Sequence, residues 1–594
     1  MSDRARIAIH GHFYQPPRES PWTGVVERQP SAAPFHDWNE RIADECYLPN
    51  VRLRNLERIS FDFGPTLLAW ADAACPEAAA GVAAADSATR AGIALPFSHP
   101  ILPLLGERDR RTQVRWGVAD FVRRFGRRPA GMWLPECAAD LPSLRTLEEE
   151  GIRFTILAPT QAARFRDGDG GWRPVGAEGI DSSCAARVEV APGRSIAVCF
   201  YDRAVSQAVA FENALGDGDR FADALRARAR PGAIVLVATD GESYGHHSRG
   251  GSEALARALA ILADDPAVEL TTPAAIVERN DIGRVVEIHE PSAWSCAHGV
   301  GRWRTDCGCR TSPSAGSQLW REALREAIET LTARVHAIFE RAGGEVFRDP
   351  WEARDASGGR PAVALEDDEA LRRCFRRPDR EMERRRGLRL LEMERQCLFA
   401  HTSCGWFFDD VAGIEAVQNL RFAARAIELT RAGAKLEDEI LEILRRAPSN
   451  DPQLGDGATV YRRVVLRQRV DGLDVAARAA FRWLAEESPA AFEIAGTIAL
   501  PEAVKRETAG DRTLVSGAAR LKDAFDRPDD WISVAAVALA DGERFVFLGR
   551  VTDAERGERA MEELRALFRA RRLPELIGAL LSRNPARYVH ALDV

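Results

Sequence analysis

Two apolar runs that each end in a carboxylate constrain this fold more than any other feature of the sequence. The first lies in residues 131–140 (GMWLPECAAD) and leads to Glu136, and the second lies in residues 233–247 (AIVLVATDGESYGHH) and leads to Asp240. Apolar runs bounded by turn residues indicate strands that are buried in a parallel sheet. Functional groups in such sheets lie just past the carboxyl ends of the strands. We therefore expect Glu136 and Asp240 to face each other across a barrel mouth.

A single carboxylate after a strand is most often a solvated loop residue or a helix cap. Here both carboxylates have aromatic or imidazole neighbours, namely Trp133, Tyr244, His246 and His247. The combination favours one shared functional site over two unrelated loops.

Further histidines precede these runs. His10 and His12 follow a predicted strand at residues 5–10, and side chains at i and i+2 lie on the same side of an extended chain. His99 lies between prolines in residues 95–106 (LPFSHPILPLLG), where a buried, hydrogen-bonded histidine and a site residue are both open interpretations.

The pattern of strands alternating with helices up to about residue 280 predicts a parallel barrel or a doubly wound sheet. After residue 288 the pattern changes, and apolar residues at positions 324, 328, 331, 335 and 338 predict a long helix. Further helices are predicted near residues 384–400, 414–429 and 436–444, which together indicate a helical bundle beside the barrel.

Residues 447–458 (APSNDPQLGDGA) are typical of a linker, and Asp541-Gly542 between two apolar runs predicts a β-hairpin. We therefore predict three domains: a barrel over residues 1–290, a helical domain over 291–446 and a mixed α/β region over 459–594.

Composition excludes several classes of protein. The 594 residues carry a formal net charge of −8, which argues against nucleic acid as the main partner. The arginine-rich run at 372–389 is interrupted by acidic residues and is interpreted as a solvated helix face with ion pairs. Neither a membrane span nor a signal peptide is predicted, and 11 scattered cysteines indicate reduced thiols in a cytoplasmic protein.

Paired carboxylates with aromatic and histidine neighbours fit the hydrolysis of glycosides. One ionised carboxylate attacks the anomeric carbon, while the other is protonated and donates to the leaving oxygen. Tryptophan and tyrosine offer flat apolar faces to sugar rings, and histidine and aspartate bond to hydroxyl groups.

The sequence resembles glycoside hydrolase family 57 in five segments, which occur in the same order as that family's motifs. The segments are HGHFYQP at 10–16, FSHPILPLL at 97–105, WLPECA at 133–138, TDGESYGHH at 239–247 and HTSCGWFFDD at 401–410. The first departs from the family by the insertion of Phe13 and Tyr14, and the fifth by Gly405 in place of an aspartate before Trp406. These altered motifs indicate a variant branch of the family.

The resemblance implies an α/β fold: an incomplete (β/α)7 barrel, then a helical bundle that completes the cleft and a small C-terminal α/β region. It also implies a retaining mechanism on α-glucan-type oligo- or polysaccharide without a cofactor, with Glu136 as the nucleophile and Asp240 as the general acid/base. The residues expected to contact substrate are His10, His12, Gln15, His99, Trp133, Glu242, Tyr244, His246, His298, Trp303 and Trp406.

One further cluster has a metal-binding interpretation. Cys296, His298, Cys307 and Cys309 are enough ligands for zinc, but the C-x-C spacing departs from the usual pattern and no second pair follows. We therefore predict a loop of reduced thiols without a metal, in which His298 and Trp303 contact sugar.

The sequence is also compatible with two other functions. A metal-dependent carbohydrate deacetylase could use His10, His12, Asp240 and His246 as ligands on a similar truncated barrel. A glycan-binding pseudoenzyme would keep the cleft without the chemistry. The sequence leaves hydrolysis, transfer and branching open, as well as the linkage and the oligomeric state.

Overall fold

The structure is a computed structural model that describes residues 4–594, except 280–281, 314–315, 487, 495, 524, 540–543, 551–553, 573, 577, 580–586 and 591–594. Its first ten strands are β1 (Ala5–Phe13), β2 (Ser60–Phe63), β3 (Phe154–Leu157), β4 (Ala162–Asp167), β5 (Arg173–Pro174), β6 (Ala186–Ala191), β7 (Arg194–Phe200), β8 (Ile234–Asp240), β9 (Val268–Leu270) and β10 (Arg284–Ile288). The helices among them are α1 (Trp38–Ile42), α2 (Leu48–Arg52), α3 (Pro65–Ala74), α4 (Pro76–Thr89), α5 (Glu107–Phe125), α6 (Leu141–Glu149), α7 (Arg203–Phe211), α8 (Gly218–Arg228), α9 (Gly251–Ala263) and α10 (Pro273–Arg279).

Seven strand positions form a barrel in the first half of the chain. β1 pairs in parallel with both β2 and β8, and β3 pairs in parallel with β7. Parallel bridges from Phe61 to Gly92, from Ala94 to Met132 and from Gly131 to Phe154 supply the two positions between β2 and β3. The ring closes where the backbone N–H after β7 donates to a carbonyl of β8, at Asp202 and Leu236. This is the (β/α)7-type barrel that the sequence predicted.

The two apolar runs occupy the expected positions in this barrel. The five residues from Ile234 to Ala238 in β8 are all buried, because helices and neighbouring strands cover both faces. The run before Glu136 is fully buried too, but it makes only short bridges because Pro135 ends it.

The barrel region also contains antiparallel pairs that the alternating pattern did not predict. β6 pairs antiparallel with β7, and β10 pairs antiparallel with β4, which extends the sheet outside the ring. β6 alternates buried and exposed residues, as a strand with one solvated face does.

The second half begins with a helical bundle. Its helices are α11 (Trp320–Val346), α12 (Pro350–Ala356), α13 (Glu369–Arg372), α14 (Glu381–Phe399), α15 (Cys404–Phe407), α16 (Ile414–Thr430) and α17 (Ala434–Leu444). Leu324, Ile328, Leu331 and Val335 on α11 are fully buried, as the helical spacing predicted, while the fifth position, Ile338, is half-buried. Arg385 pairs with Glu381 at 2.5 Å in the arginine-rich run, in line with its interpretation as an ion-paired helix face.

An antiparallel sheet follows, in the order β11 (Phe492–Ile494), β12 (Thr497–Ala509), β13 (Arg512–Asp523), β14 (Asp530–Ala538), β15 (Arg544–Arg550) and β16 (Arg587–His590). Three helices accompany it: α18 (Gly457–Val460), α19 (Gly472–Ala485) and α20 (Ala554–Arg569). The predicted Asp541-Gly542 turn lies outside the described residues, and the strands on either side of it, β14 and β15, pair antiparallel.

The predicted linker differs from expectation. The backbone N–H of Gly457 donates to the carbonyl of Ala447 at 2.8 Å, and Ala447 and Ala458 are both fully buried. The segment is therefore a compact loop packed against the bundle, and the division into three domains stays a prediction. None of the helices in the described part of the chain is both long and apolar enough to cross a membrane.

Candidate active site

Glu136 lies directly after the apolar run of the fourth barrel position and adopts an unusual backbone conformation. Its φ of 59° and ψ of 21° fall in the left-handed region, which is uncommon for residues other than glycine. Conformations of this kind cost free energy and concentrate at sites where a side chain must be held in one direction. The turn at Glu136 thus has the character of a functional site.

Two donors from one later loop hold the Glu136 carboxylate. The Trp294 indole Nε1–H and the Ser295 hydroxyl donate to Oε2 of Glu136, at 3.1 and 2.6 Å. The backbone N–H of Trp294 also donates to the carbonyl of Glu136 at 3.0 Å. Both side-chain bonds end on Oε2, which leaves Oε1 without a hydrogen-bond donor among the described residues.

The electrostatic surroundings of Glu136 act in both directions. Burial raises the pKa of Glu136, and the nearby negative charge of Asp240 raises it further. The hydrogen bonds from Ser295 and Trp294 lower it, because they stabilise the carboxylate. These donors therefore oppose the effect of burial and favour the ionised form of the carboxyl group.

Asp240 is the last residue of β8 and is exposed. In the parallel ladder it lies opposite His12 of β1. Its charge acts on the pKa of Glu136, Glu242 and His247, so these four side chains share one electrostatic environment at the carboxyl ends of the strands. Retaining glycosidases place their two carboxyl groups about 5–5.5 Å apart, and we predict this separation for Glu136 and Asp240.

Glu242 is a buried carboxyl group at this end of the barrel. Its Oε1 accepts hydrogen bonds from the Tyr47 hydroxyl at 2.6 Å and from the Tyr14 backbone N–H at 3.1 Å. Burial raises the pKa of Glu242 to about 7, against the lowering effect of the Tyr47 hydrogen bond. Glu242 therefore holds a proton over part of the neutral range.

A buried histidine network lies behind the carboxylates. Each carboxylate oxygen of Asp62 in β2 forms a hydrogen bond with one histidine. The distances are 3.0 Å to Nε2 of His10 and 2.8 Å to Nδ1 of His12. Both histidines therefore point to the same side of β1, as predicted. His12 Nε2 in turn lies 3.1 Å from His99 Nε2, and His99 Nδ1 lies 2.7 Å from the Ser403 hydroxyl.

The pKa values of His12 and His99 are shifted in opposite directions, which indicates which of the two rings is protonated. Burial would lower the pKa of His12, but the Asp62 carboxylate raises it to about 9. Burial and the positive charge of His12 hold the pKa of His99 well below its usual value. His12 is thus the cation, and its Nε2–H donates to the neutral His99.

The two residues inserted in the first motif connect it to other motifs. The Tyr14 ring stacks on His99 with a centroid separation of 3.6 Å, while its backbone N–H bonds to Glu242. Phe13 packs so closely on Gly241 that a Cβ at Gly241 would lie 2.3 Å from the ring. The insertion therefore fills the space between the first, second and fourth motifs.

Several residues predicted to contact substrate are enclosed by the protein instead. Tyr244, Trp303 and Trp406 are fully buried within the hydrophobic cores, and the Trp406 indole donates to the carbonyl of Arg321 at 3.2 Å. Trp133 is also fully buried and stacks on His10 and His12. His10 itself is fully buried between Ser60 and Asp62. In this conformation these five side chains support the site from behind.

The remaining predicted contacts lie nearer the surface. His246 is half-buried with its Nδ1 bonded to Glu45, and Gln15 is half-buried and accepts from Arg18 at 2.8 Å. His298 is exposed in the loop that follows Ser295.

Packing around the fifth motif accounts for Gly405 in place of the aspartate of the family motif. A Cβ at Gly405 would lie 2.1 Å from the Asn419 side chain, which donates to the carbonyl of Thr402 at 2.8 Å. Position 405 therefore has no room for the aspartate of the family motif, and its neighbour Ser403 bonds to His99 instead.

Metal ligands converge at one place within the described residues: the ligand atoms of Cys296, His298, Cys307 and Cys309 all lie within 4.8 Å of one another. The four residues considered for a deacetylase, His10, His12, Asp240 and His246, form no such group there.

Sequence reasoning missed the partners that position the predicted residues, namely Asp62, Tyr47, Trp294, Ser295 and Ser403. Asp62 had a visible signal, because it is a charged residue in a short, wholly buried strand. Trp294 and Ser295 gave none, since they lie in a loop without periodicity.

Comparisons with known proteins agree with the motifs. Residues 93–289 match the model of glycosyl hydrolase family 57, and residues 317–591 match a domain of unknown function, DUF3536. A 1,4-alpha-glucan branching enzyme of Thermococcus kodakarensis is 42% identical over 62 residues, which is 9% of each chain. A probable 1,4-alpha-glucan branching enzyme of Mycobacterium tuberculosis is 49% identical over 43 residues, 7% of this chain and 8% of that one. The chain thus aligns with less than a tenth of the length of these relatives.

Among solved structures, an exo-type maltose-forming amylase from Pyrococcus sp. ST04 superimposes with a TM-score of 0.58 at 16% identity. The match covers 74% of this chain and 82% of that one, and it shows a shared fold. The region of residues 93–289 thus matches glycosyl hydrolase family 57, in agreement with the motifs.

Proposed function

We propose that the chain is a retaining glycoside hydrolase or glucanotransferase that acts on α-glucan-type oligo- or polysaccharide. The observation that carries this proposal is the Glu136 carboxylate: it lies at a barrel strand end, near Asp240, with two hydrogen-bond donors on one oxygen and none on the other among the described residues.

In the proposed first step, Oε1 of Glu136 attacks the anomeric carbon and forms a glycosyl ester. The bond from that carbon to the glycosidic oxygen breaks, and Asp240 gives its proton to the leaving oxygen. The donors on Oε2 favour the ionised form of Glu136 before the attack, against the effect of its burial.

In the proposed second step, Asp240 acts as a base. It takes a proton from water in hydrolysis, or from a sugar hydroxyl in transfer, and the resulting oxygen attacks the glycosyl ester. Glu136 leaves as a carboxylate, and because each of the two steps inverts the anomeric carbon, the product keeps the configuration of the substrate.

Glu242 and the histidine network support these steps without taking part in them. The raised pKa of Glu242 keeps a second negative charge away from Asp240 at slightly acidic pH. The protonated His12 contributes a positive charge close to the carboxylates, which lowers the pKa of Glu136.

The similarity to branching enzymes and to a maltose-forming amylase supports α-glucan as the substrate class. The deacetylase is disfavoured, because Asp62 and His99 already occupy the ring nitrogens of His12. A cytoplasmic location and the absence of a nucleic-acid partner stay predictions.

The product profile from maltooligosaccharides and glycogen tests the proposal. Shorter chains alone mean hydrolysis, longer chains mean transfer, and new branch points mean branching; each supports an α-glucan enzyme. Unchanged substrates with the natural chain, at the same level as with the Glu136→Gln variant, would overturn the proposal.

A further inference from the structure

The loop that follows the donors to Glu136 contains a tight group of soft ligands. The Sγ atoms of Cys296, Cys307 and Cys309 and a ring nitrogen of His298 all lie within 4.8 Å of one another. Cys296 lies directly after Ser295, so this group begins one residue beyond the hydroxyl that bonds to Glu136.

The separations between these ligand atoms match a tetrahedron around one ion. Zinc–sulfur bonds of about 2.3 Å and zinc–nitrogen bonds of about 2.0–2.1 Å give tetrahedral edges of about 3.8 Å between sulfurs and about 3.6 Å from sulfur to nitrogen. Cys296 Sγ lies 3.9 Å from Cys307 Sγ and 3.7 Å from Cys309 Sγ, and Cys309 Sγ lies 3.6 Å from His298 Nδ1. A disulfide would need about 2.05 Å between two of these sulfurs.

Two buried arginines provide charge complementarity. Three thiolates and a neutral imidazole around a divalent cation carry a net charge of −1. Arg321 donates to the carbonyl of Cys309 at 2.9 Å, and Arg302 donates to the carbonyl of Arg310 at 3.2 Å. Both guanidinium groups are almost fully buried beside the loop, where a buried charge needs a partner of opposite sign.

We propose that Cys296, His298, Cys307 and Cys309 bind one structural zinc ion. Four protein ligands close the coordination sphere, which is the arrangement of a structural rather than a catalytic zinc. Binding releases the three thiol protons to solvent, since the thiolate is the ligand form. The expectation of a loop of free thiols is thereby replaced, and His298 is a zinc ligand instead of a sugar contact.

The zinc site lies in the same loop as the two donors to Glu136, so the ion would also affect the position of these donors. Residues Trp294 and Ser295 reach Glu136 from the same loop, and Trp303 anchors the loop in the core, where its carbonyl accepts from Arg325 at 3.0 Å. Zinc would fix the loop between these two ends and so hold the donors against Glu136. Metal binding itself does not depend on the proposed glycosidase activity.

The test measures metal content directly in the full-length chain, purified without chelator or added metal, by inductively coupled plasma mass spectrometry. We expect about one zinc per chain, as one closed four-ligand site holds one ion. Replacement by Co²⁺ should give thiolate-to-cobalt charge-transfer bands and the intense visible bands of tetrahedral coordination. Both measurements are independent of catalysis.

Variants assign the ion to these ligands. His298→Ala changes an exposed side chain and should lower the zinc content at least tenfold at a fixed free zinc concentration, as should Cys307→Ser. Cys184→Ser is the matched control, because Cys184 is a free, partly buried cysteine outside the cluster, and it should keep the zinc.

The proposal would be overturned if the natural chain contained no zinc after growth in zinc-supplemented medium. It would also be overturned if both the His298→Ala and the Cys307→Ser variants kept their zinc. A disulfide among the three cysteines, detected by mass spectrometry after alkylation of free thiols, would overturn it as well. A chain that holds zinc but turns over no α-glucan would keep this proposal and reject the proposed function.

Discussion

The Ser295 hydroxyl donates to Oε2 of Glu136 across 2.6 Å, although 159 residues separate the two along the chain. A loop beyond the last barrel helix thus lowers the pKa of a carboxyl group at a barrel strand end, against the effect of burial. The relationship makes the ionisation of Glu136 depend on a residue that does not itself touch the reacting atoms.

Ser295→Ala should shift the pH dependence of turnover. Loss of the donor raises the pKa of Glu136, so the acidic limb of the profile of kcat/KM should move to higher pH. A hydrogen bond to a charged group contributes about 1.5–3 kcal/mol, which corresponds to a loss of roughly 10- to 100-fold on the acidic side. Ser183→Ala is the control, because the half-buried Ser183 donates its hydroxyl to the exposed carboxylate of Asp181 at 2.9 Å, away from Glu136. An unshifted acidic limb in Ser295→Ala would show that the hydroxyl does not tune Glu136.

Asp240→Asn should have an effect that depends on the leaving group. Acid assistance is worth typically about 10²–10⁴-fold, and a natural glucan needs it in full. An aryl glycoside with an acidic phenol or a glycosyl fluoride needs no proton, so the first step should be nearly as fast as in the natural chain. Azide should then speed release of the accumulated intermediate. Equal losses on natural and activated substrates would remove Asp240 from the role of acid.

Glu242→Gln should change the pH dependence of stability. Glu242 has a folded-state pKa of about 7, above its value in the unfolded chain. Its favourable contribution is therefore present below about pH 4.5 and is lost as the pH rises through 7. The amide imitates the protonated acid, so the variant should match the natural chain at pH 5 and exceed it at pH 8 by up to about 3 kcal/mol.

Urea unfolding at the two pH values measures this difference, with the exposed Glu212→Gln as the control. A Glu242→Gln variant that is less stable than the natural chain at pH 8 would mean that Glu242 is needed as an anion.

Asp62→Asn should lower the free energy of unfolding, because it removes the carboxylate that pairs with His12. Removal of one partner from a buried ion pair costs about 3–5 kcal/mol, because the other charge is left without compensation. The His12 pKa of about 9 lies above the unfolded value, so the pair contributes fully below about pH 6.5 and loses its contribution as the pH rises through 9.

The loss in free energy of unfolding should accordingly be large at pH 6 and small at pH 10. Glu77→Gln breaks an ion pair between exposed side chains, Arg52 and Glu77, and should change the stability little. A loss that is the same at both pH values would show that packing, and not the charge of His12, explains the effect of Asp62.

Local patterns in the sequence predicted the strands and helices that carry the site. The runs before Glu136 and Asp240 are buried on both faces, and such burial leaves an uninterrupted apolar signal. His10 and His12 were placed on one side of β1 by the geometry of a strand alone. Their common partner Asp62 belongs to another strand, so only the barrel pairing brings it close.

Aromatic residues outside periodic segments were the main source of error. Trp303 and Trp406 stand in glycine-containing stretches that resemble sugar-binding loops, yet both side chains fill the core between loop and bundle. Trp294, half-buried in the same loop, is the tryptophan that bonds to Glu136. Exposure of an aromatic side chain in a loop is decided by tertiary packing, which leaves no repeat in the sequence.

The most direct test of the account is to trap the glycosyl-enzyme and identify the residue that carries the sugar. A slow fluorosugar substrate with an activated leaving group should label the chain once, and peptide mass spectrometry should find the label on Glu136. Glu136→Gln should take up no label, while Asp240→Asn should accumulate it. A label on Asp240 or Glu242, or turnover of the reagent with inverted configuration and no labelled peptide, would contradict the central claim.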